Sequence, residues 1–179
     1  MPEVILVDFQ DRPLGSMEKM EAHRQQKLHR AFSVFLCRGD KVLLQKRASH
    51  KYHCGGLWTN TCCSHPQPGE TVPEAARRRL AEELGVTQPP ALEEIDVFFY
   101  RCPFPNGLTE FECDHVLLGE YDGAYTPDPD EVEDMEWVSI PQLEADLLER
   151  PEAYTPWFLI CAPKVFAALR RRAAERVKP

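Results

Sequence analysis

The sequence predicts an α+β or mixed α/β fold in one domain that spans residues 1–179. Short β-rich segments that have the pattern of antiparallel strands recur along the chain, and a few segments with helical periodicity lie between them. No internal repeat or low-complexity linker divides the sequence. With 179 residues, of which 43% are hydrophobic, the chain has the size and composition of a single globular domain that needs no disulfides.

Several short segments have the β-rich composition and the flanking turn residues that are typical of strands. We expect strands over residues 4–7, 32–37, 42–45, 97–101, 111–118 and 135–140. Gly39 lies between the second and the third of these segments, which are therefore predicted to form a hairpin. The Pro- and Gly-containing segment 103–107 is the predicted turn between the fourth and the fifth.

The helix that starts near residue 72 has the clearest sequence signals. Thr71 and Glu74 form a capping box, in which each side chain bonds the backbone N–H of the other residue. Pro73 suits the first turn, where its missing N–H costs nothing, and Gly85 is a typical helix stop. An apolar stripe with helical spacing runs along the segment: Val72, Ala76, Leu80 and Leu84.

Two further helices are predicted near the end of the chain. Residues 141–148 have a helical pattern, and so does the segment 156–177. Pro163 lies inside the second segment. Because proline removes a helical hydrogen bond and crowds the preceding turn, we expect a kink or a break there.

Charge and cysteine content restrict the class of function. The 29 acidic residues exceed the 21 basic ones, and the net charge of −8 argues against a general nucleic-acid binder or a protein of anionic membrane surfaces. No apolar run has the length of a membrane span, and the first residues lack the pattern of a signal peptide. Seven cysteines without a CxxC pair favour free thiols in a reducing cytoplasm.

Residues 64–86 contain charged positions that indicate diphosphate binding. The following positions have the spacing of the Nudix box, a loop–helix–loop that binds divalent metal and diphosphate: Glu70, Arg78, Glu82, Glu83 and Gly85. Arg79 stands where that box has a Glu, and Ser64 replaces its first Gly. Hydrolysis needs a dense carboxylate cluster for the metal ions that activate water, so Arg79 indicates diphosphate binding without cleavage. The alternative interpretation of this helix is a solvated face with i,i+4 ion pairs.

A second set of motifs extends the resemblance. Residues 59–66, with the sequence TNTCCSHP, and the pair Glu110 and Glu112 resemble the type I isopentenyl-diphosphate isomerases. Other matching positions are scattered from about residue 3 to the terminal helix: Lys19, His23, residues 28–32, Arg47, Lys51, Trp58, Tyr100 and residues 155–157. The resemblance implies a Nudix-like fold, with mixed β-sheets flanked by helices. It also implies isomerisation of isopentenyl diphosphate to dimethylallyl diphosphate, a step of isoprenoid biosynthesis.

Glu110 and Glu112 are predicted metal ligands. They are two residues apart in a predicted strand, so both side chains project from one face. Two adjacent carboxylates repel each other unless a cation or a proton lies between them. His23, His29 and His65 can complete this ligand set, and mixed nitrogen and oxygen ligands suit Mn²⁺ or Zn²⁺. The remaining histidines lie outside these motifs and are interpreted as surface or core residues: His50, His53 and His115.

The implied reaction adds a proton at C4 of the substrate and removes one from C2. The resemblance implies that Cys63 and Glu112 do so from opposite faces of the alkene, with Tyr100 bonding Glu112 or relaying its proton. Trp157 is expected either to stabilise the developing positive charge or to pack under the terminal helix. Glu83 is expected to carry a substrate-associated Mg²⁺. The diphosphate is expected to contact four basic residues: Lys19, Arg47, Lys51 and Arg79.

Two other functions fit parts of the sequence. A Nudix diphosphohydrolase would need a carboxylate at the position of Arg79. A zinc-stabilised binding module would use four ligands: Cys54, Cys62, Cys63 and His65. Their spacing differs from that of zinc fingers, and such a module would leave Glu110 and Glu112 unexplained. Residues 52–54 are a weaker second metal candidate. For the isomerase we expect a cytoplasmic monomer or weak homodimer that binds neither nucleic acid nor membrane.

Overall fold

The computed structural model describes residues 1–177. Over that range, nine strands form a mixed sheet: β1 (Glu3–Val7), β2 (Pro13–Glu18), β3 (His29–Arg38), β4 (Lys41–Arg47), β5 (Trp58–Thr59), β6 (Cys62–Ser64), β7 (Glu93–Pro103), β8 (Thr109–Glu120) and β9 (Val132–Ser139). The helices of the same range are α1 (Lys19–Arg24), α2 (Val72–Leu84), α3 (Ile140–Glu149) and α4 (Pro156–Arg176), with a short 3₁₀ helix at Pro151–Ala153. The predicted mixture of sheet and helices is confirmed. No helix among these residues combines the length and the apolar composition of a membrane span.

The strands and helices predicted from the sequence are all present, and most extend beyond the predicted bounds. The turn between β3 and β4 has Gly39 at a φ of 61°, in the left-handed region that favours glycine. The sequence patterns missed β2, α1, β5 and β6, because short elements carry little periodicity. The helix α1 is capped by Glu18, whose carboxylate accepts the N–H groups of Met20 and Glu21.

Strand β3 is the one around which the functional face is built. One edge of β3 pairs in parallel with β8, from His29 opposite Glu112 to Cys37 opposite Glu120. The other edge is shared along its length by β1, β6 and β4. Strand β7 extends the sheet beyond β8, while β9 and β5 flank β4. The strands β6 and β8 therefore lie on opposite sides of β3.

Alternate residues of β3 fill two cores, one on each face of the sheet. Phe32, Val34 and Leu36 pack with α2, whereas Phe35 and Cys37 pack with α4. Each of these five side chains is at most 1% exposed. A strand that is buried on both faces has a mostly apolar sequence, as residues 32–37 of β3 do. Burial of each large side chain stabilises the fold by about 1.5–3 kcal/mol.

Helix α2 begins and ends where the sequence predicts. The backbone N–H of Glu74 donates to Thr71 Oγ1 over 3.4 Å, and the Glu74 carboxylate accepts the backbone N–H of Thr71 over 2.8 Å. Gly85, at a φ of 63°, ends the helix by donating its N–H to the carbonyl of Ala81. Both ends are therefore fixed by local hydrogen bonds, which places the charged residues of the box at defined positions beside the sheet.

Pro163 does not break α4, which runs from Pro156 to Arg176 within the described part of the chain. The expectation of a break was wrong because packing on both sides of the proline holds the two halves in one helix. Phe158 and Val165 lie on either side of it and are fully buried against the sheet. Pro163 itself is exposed, so water can bond the carbonyl that loses its helical partner.

Candidate active site

The candidate site lies on the sheet face that packs against α4. Glu110, Glu112 and Asp114 alternate along β8 and project from that face, at the end of the strand where the apolar core stops. Tyr100 of β7 stands opposite Glu112 in the sheet, and Cys63 of β6 lies beyond β3 on the other side. The three β8 carboxylates are all at most 6% exposed. A row of buried acids needs partners. Histidines supply them for Glu110 and Glu112, and Ser33 donates to Oδ2 of Asp114, whereas Oδ1 of Asp114 has no partner among the described residues.

The predicted metal ligands come together in one cluster. The ligand atoms of His23, His29, His65, Glu110 and Glu112 all lie within 4.8 Å of one another. Nε2 of His23 lies 3.1 Å from Oε2 of Glu110, and Nε2 of His65 lies 2.8 Å from Oε1 of Glu112. Nε2 of His29 lies 3.5 Å from that same Glu112 oxygen. It is buried without a hydrogen-bond partner, as expected of a nitrogen that awaits a ligand.

Backbone carbonyls fix the protonation of two of these rings. Nδ1 of His23 bonds the carbonyl of Lys19 over 2.5 Å, and Nδ1 of His29 bonds the carbonyl of Lys27 over 2.8 Å. A carbonyl oxygen only accepts, so each ring carries a proton on Nδ1 and directs Nε2 toward the carboxylates. In the neutral rings, the lone pair of Nε2 repels the carboxylate oxygen unless a cation lies between them. This donor set therefore fits a divalent metal ion.

The surroundings of Glu110, Glu112 and His65 favour the metal-binding forms of these three side chains. Burial acts to raise the pKa of Glu110, but hydrogen bonds with His23 and His53 hold this pKa well below its usual range. Burial and the Glu110 charge act to raise the pKa of Glu112, but bonds with His29 and His65 lower it. Burial lowers the pKa of His65 to about 4, so this imidazole stays neutral at pH 7. Ionised carboxylates and neutral imidazoles are the forms that bind metal.

His53, interpreted from the sequence as a surface or core residue, is buried, but it also contacts the cluster of predicted metal ligands. Nε2 of His53 lies 2.5 Å from Oε1 of Glu110, whereas His23 approaches the other oxygen of that carboxylate. The sequence patterns could not place His53, because it lies in an irregular loop between β4 and β5. Residues 52–54 do not form a separate metal-ligand group within the part of the chain that the structure describes.

Cys63, Glu112 and Tyr100 border a cavity of about 50 Å³, which we call the chamber. Because β6 and β8 flank β3, Cys63 and Glu112 approach the chamber from opposite sides of that strand. The O–H of Tyr100 donates to Oε2 of Glu112 over 2.6 Å. Burial raises the pKa of Cys63 to about 12, although the charge of Arg47 acts against it. The thiol therefore keeps its proton at pH 7.

The neighbouring cysteine has different surroundings. Cys62 is fully buried in the core on the α2 side of the sheet, as alternation along β6 requires. Cys63 points to the α4 side and lines the chamber. Of the two adjacent thiols, Cys63 is therefore the one that a molecule in the chamber would contact.

Trp157 lies in the first turn of α4 and forms part of the chamber wall. Its indole N–H donates to Oδ1 of Asn60 over 3.2 Å, and the amide of Asn60 donates to the carbonyls of Val34 and Cys62. The guanidinium of Arg47 lies 5.4 Å from the Trp157 ring centroid. The ring thus packs in the core and also faces the chamber. Asn60, a positioning residue, was missed although it belongs to the TNTCCSHP motif.

A larger cavity of about 260 Å³ adjoins the chamber, and we call it the basic cavity. Arg47 and Cys63 line both spaces, so the two cavities are neighbours at these residues. The basic cavity is lined by the four basic residues that are predicted to bind diphosphate: Lys19, Arg47, Lys51 and Arg79. Arg78 also lines it. A concentration of positive side chains beside a small chamber with an aromatic wall suits a ligand with an anionic head and a short apolar tail.

Glu83 also lines the basic cavity, as expected of a residue that meets diphosphate. Its carboxylate accepts from Arg79 Nη2 over 2.5 Å and from the side-chain amide of Gln45 over 3.3 Å. Burial acts to lower the pKa of Arg79, but the charge of Glu83 outweighs burial and holds this pKa above its usual value. Glu83 is only 3% exposed, so it is a buried ion-pair partner rather than part of a solvated helix face.

A second group of potential ligands lies on the opposite sheet face and includes Cys113. There, Nε2 of His115 lies 3.0 Å from Asp11 and Nδ1 lies 2.8 Å from Glu94. Nε of Arg30 donates to Asp11 over 2.8 Å. Carboxylates engage both nitrogens of the ring, so this network ties the β1–β2 turn to β7 and β8. We assign it a structural role.

Comparisons with other proteins add independent information. The family model of the NUDIX domain matches residues 27–158. Isopentenyl-diphosphate Delta-isomerase 1 of Aromatoleum aromaticum is 51% identical over 169 residues, which cover 92% of this chain and 93% of that protein. Isopentenyl-diphosphate Delta-isomerase of Burkholderia multivorans is 47% identical over 174 residues, which cover 97% of this chain and 98% of that protein.

Solved structures contain the same fold. The crystal structure of a Deinococcus radiodurans protein gives a TM-score of 0.70 at 21% identity, covering 94% of this chain and 98% of that chain. The MutT Nudix hydrolase of Burkholderia pseudomallei gives a TM-score of 0.60 at 24% identity, covering 77% of this chain and 98% of that chain. At these identities the likeness concerns the fold alone, so it carries no statement about the reaction.

Proposed function

This chain belongs to the type I isopentenyl-diphosphate isomerases of the Nudix superfamily, and from that premise we propose how its site isomerises isopentenyl diphosphate to dimethylallyl diphosphate. The reaction adds a proton at C4 and removes another from C2, so the double bond moves while the diphosphate stays intact. One observation carries the proposal. A thiol and a carboxylate approach one small chamber from opposite sides of β3, and that chamber adjoins a basic cavity.

We assign the cluster of three histidines and two glutamates to one tightly held divalent metal, Mn²⁺ or Zn²⁺. The unpartnered Nε2 of His29 and the Nδ1 protons of two rings support the assignment. When bound, the metal supplies positive charge that tunes the proton affinity of Glu112. A separate Mg²⁺ accompanies the diphosphate and is assigned to Glu83, whose carboxylate lines the basic cavity.

Cys63 and Glu112 are assigned as the two groups that exchange protons with the alkene, one at C4 and the other at C2. Their approach from opposite sides of β3 suits addition and removal on opposite faces of a planar double bond. At pH 7 the thiol is protonated and the carboxylate is ionised, so the site contains one donor and one acceptor. Tyr100 orients Glu112 through its O–H bond. The isomerisation is reversible, and each group reverses its role with the direction.

Proton addition at C4 places positive charge on C3, next to the wall that Trp157 forms. An aromatic ring face stabilises a nearby cation by about 0.5–2 kcal/mol, and more where water is excluded. Trp157 is 4% exposed, so the chamber also keeps bulk water from trapping that charge as an alcohol. The diphosphate group is assigned to the basic cavity, where four cations receive it: Lys19, Arg47, Lys51 and Arg79.

Arg79 separates this proposal from a Nudix diphosphohydrolase. It pairs with Glu83 over 2.5 Å and with Glu82 over 2.8 Å, at a position where the Nudix box has a further carboxylate. An arginine in that place neutralises the neighbouring acids and cannot hold the metal ions that would activate water. It can instead donate to phosphate oxygens.

Incubation with isopentenyl diphosphate in D₂O, followed by NMR, tests the proposed function. We expect dimethylallyl diphosphate with solvent deuterium in the methyl group that derives from C4, and no release of phosphate. Release of phosphate or pyrophosphate without a shifted double bond would instead identify a hydrolase.

The proposal also concerns the state of the protein. We propose a single domain that acts in the cytoplasm as a monomer or weak homodimer, with isopentenyl and dimethylallyl diphosphate as its partners. In this proposal the protein binds neither nucleic acid nor membrane, in line with its net charge of −8. Sedimentation over a range of protein concentrations tests the oligomeric part, and a stable higher oligomer would contradict it.

A further inference from the structure

One acidic residue of the basic cavity has no part in the proposed reaction. Glu131 directly precedes β9 and lines this cavity together with Glu83. One of its carboxylate oxygens contacts the ammonium group of Lys51, and the other lies 3.4 Å from Nη2 of Arg79. Burial acts to raise the pKa of Glu131, but the bond with Lys51 lowers it, so the carboxylate is ionised at pH 7. Two cations assigned to diphosphate are therefore already paired with an anion of the protein.

The charge of the cavity wall shows what this carboxylate changes. Among the described residues that line the basic cavity, five cationic side chains face three carboxylates, Glu3, Glu83 and Glu131, which leaves a net charge of +2. Without Glu131 the net charge would be +3. A free diphosphate carries a charge of about −3 near neutral pH, and its Mg²⁺ complex carries about −1. A negative charge in the wall repels each ligand in proportion to the charge of that ligand.

We propose that Glu131 makes the basic cavity select a diphosphate that arrives with its divalent cation over a free diphosphate. In free energy, the carboxylate disfavours the free form about three times as strongly as the complex, because their charges differ by that factor. Glu131 must also give up Lys51 and Arg79 before phosphate oxygens occupy them. The inference rests on the proposed function in one respect, namely that this cavity receives the diphosphate.

Calorimetric binding of inorganic pyrophosphate, with and without Mg²⁺, tests the inference without relying on turnover. Glu131→Gln should tighten binding of free pyrophosphate about tenfold and binding of the Mg²⁺ complex only about twofold. Glu131→Asp, which keeps the charge, should retain the preference of the wild type. The matched control is Glu133→Gln. Glu133 is two residues from Glu131 and pairs with Lys46, and neither Glu133 nor Lys46 is among the described residues that line the basic cavity. The control substitution should change neither affinity.

The substitution preserves the local backbone, because Glu131 bonds Ala48 and Asp128 through its main chain. A melting temperature close to that of the wild type is therefore expected. Equal affinities for free pyrophosphate in Glu131→Gln and wild type would overturn the inference. So would weaker binding of the Mg²⁺ complex, because Glu131 would then be a ligand of the cation.

The failure of this inference can be told apart from the failure of the proposed function. If the wild type isomerises isopentenyl diphosphate but does not bind pyrophosphate, the basic cavity is not the diphosphate site, and the inference is overturned. If isomerisation in D₂O is absent, the proposed function fails, while the comparison of pyrophosphate affinities still decides the role of Glu131.

Discussion

Replacing Tyr100 by Phe removes one oxygen atom from the chamber and keeps the aromatic ring. That oxygen donates its proton to Oε2 of Glu112 over 2.6 Å, and both side chains are buried. Burial raises the pKa of Tyr100 well above its usual range, so its hydroxyl remains a donor at any working pH. A hydrogen bond to a charged group contributes about 1.5–3 kcal/mol. Since about 1.4 kcal/mol corresponds to a factor of ten in rate, kcat should fall about 10–100-fold.

The assay is NMR measurement of kcat and KM for isopentenyl diphosphate, combined with the metal content of each variant. KM and metal content should stay close to the wild type, because Tyr100 is not among the described residues that line the basic cavity and its hydroxyl bonds Glu112 rather than another metal ligand. Tyr154→Phe is the matched control, since its hydroxyl bonds Asp146 over 3.1 Å, away from the chamber. A wild-type kcat in Tyr100→Phe would refute the role of this bond. Equal losses in both variants would point to a general effect of losing a tyrosine hydroxyl.

Other parts of the site give further predictions. His65→Ala should lower metal content and rate together, whereas full metal occupancy by elemental analysis would exclude His65 as a ligand. Burial acts to lower the pKa of His23, but its bond to Glu110 raises the pKa above its usual value, so protons compete with the metal. The dissociation constant of the metal should therefore rise about tenfold per pH unit once the pH falls below this raised pKa. A constant affinity over that range would contradict this. Glu83→Gln should raise the Mg²⁺ concentration for half-maximal rate about tenfold without displacing the tighter metal; an unchanged Mg²⁺ titration would remove the role of Glu83. Trp157→Leu should lose about tenfold more rate than Trp157→Phe and bind an ammonium analogue more weakly by calorimetry. Equal analogue affinities in Trp157→Leu and the wild type would make Trp157 a packing residue only.

The parts of the fold that were predictable are those fixed by local chemistry. The capping box of Thr71 and Glu74 and the stop at Gly85 depend on neighbours in sequence, so the bounds of α2 followed directly. The β-rich composition of residues 32–37 predicted the centre of β3, although the strand extends from His29 to Arg38. The strand β6 was not predictable, because its three residues exist as a strand only through pairing with β3. Pro163 shows the same limit, since distant packing outweighs the local cost of proline.

The candidate site also contains some residues that could be predicted from the sequence and others that could not. Alternation along a strand predicted that Glu110 and Glu112 share one face, whereas Cys63 was expected from the resemblance of the TNTCCSHP motif. His53 and Glu131 were missed because their partners, Glu110 and Lys51, lie far away in the sequence. Neither residue has a spacing that indicates its contact. Only the tertiary structure brings each of them to its partner.

The comparison of Cys63→Ala with Cys62→Ala tests the central claim most directly, because the two thiols are adjacent in sequence and face opposite cores. Isomerisation should fall by about 100–10,000-fold in Cys63→Ala, while metal content and pyrophosphate affinity stay unchanged. Cys62→Ala should lose some stability through the small void it leaves and retain most of its activity. A comparable loss in both variants, or a near wild-type rate in Cys63→Ala, would contradict the account.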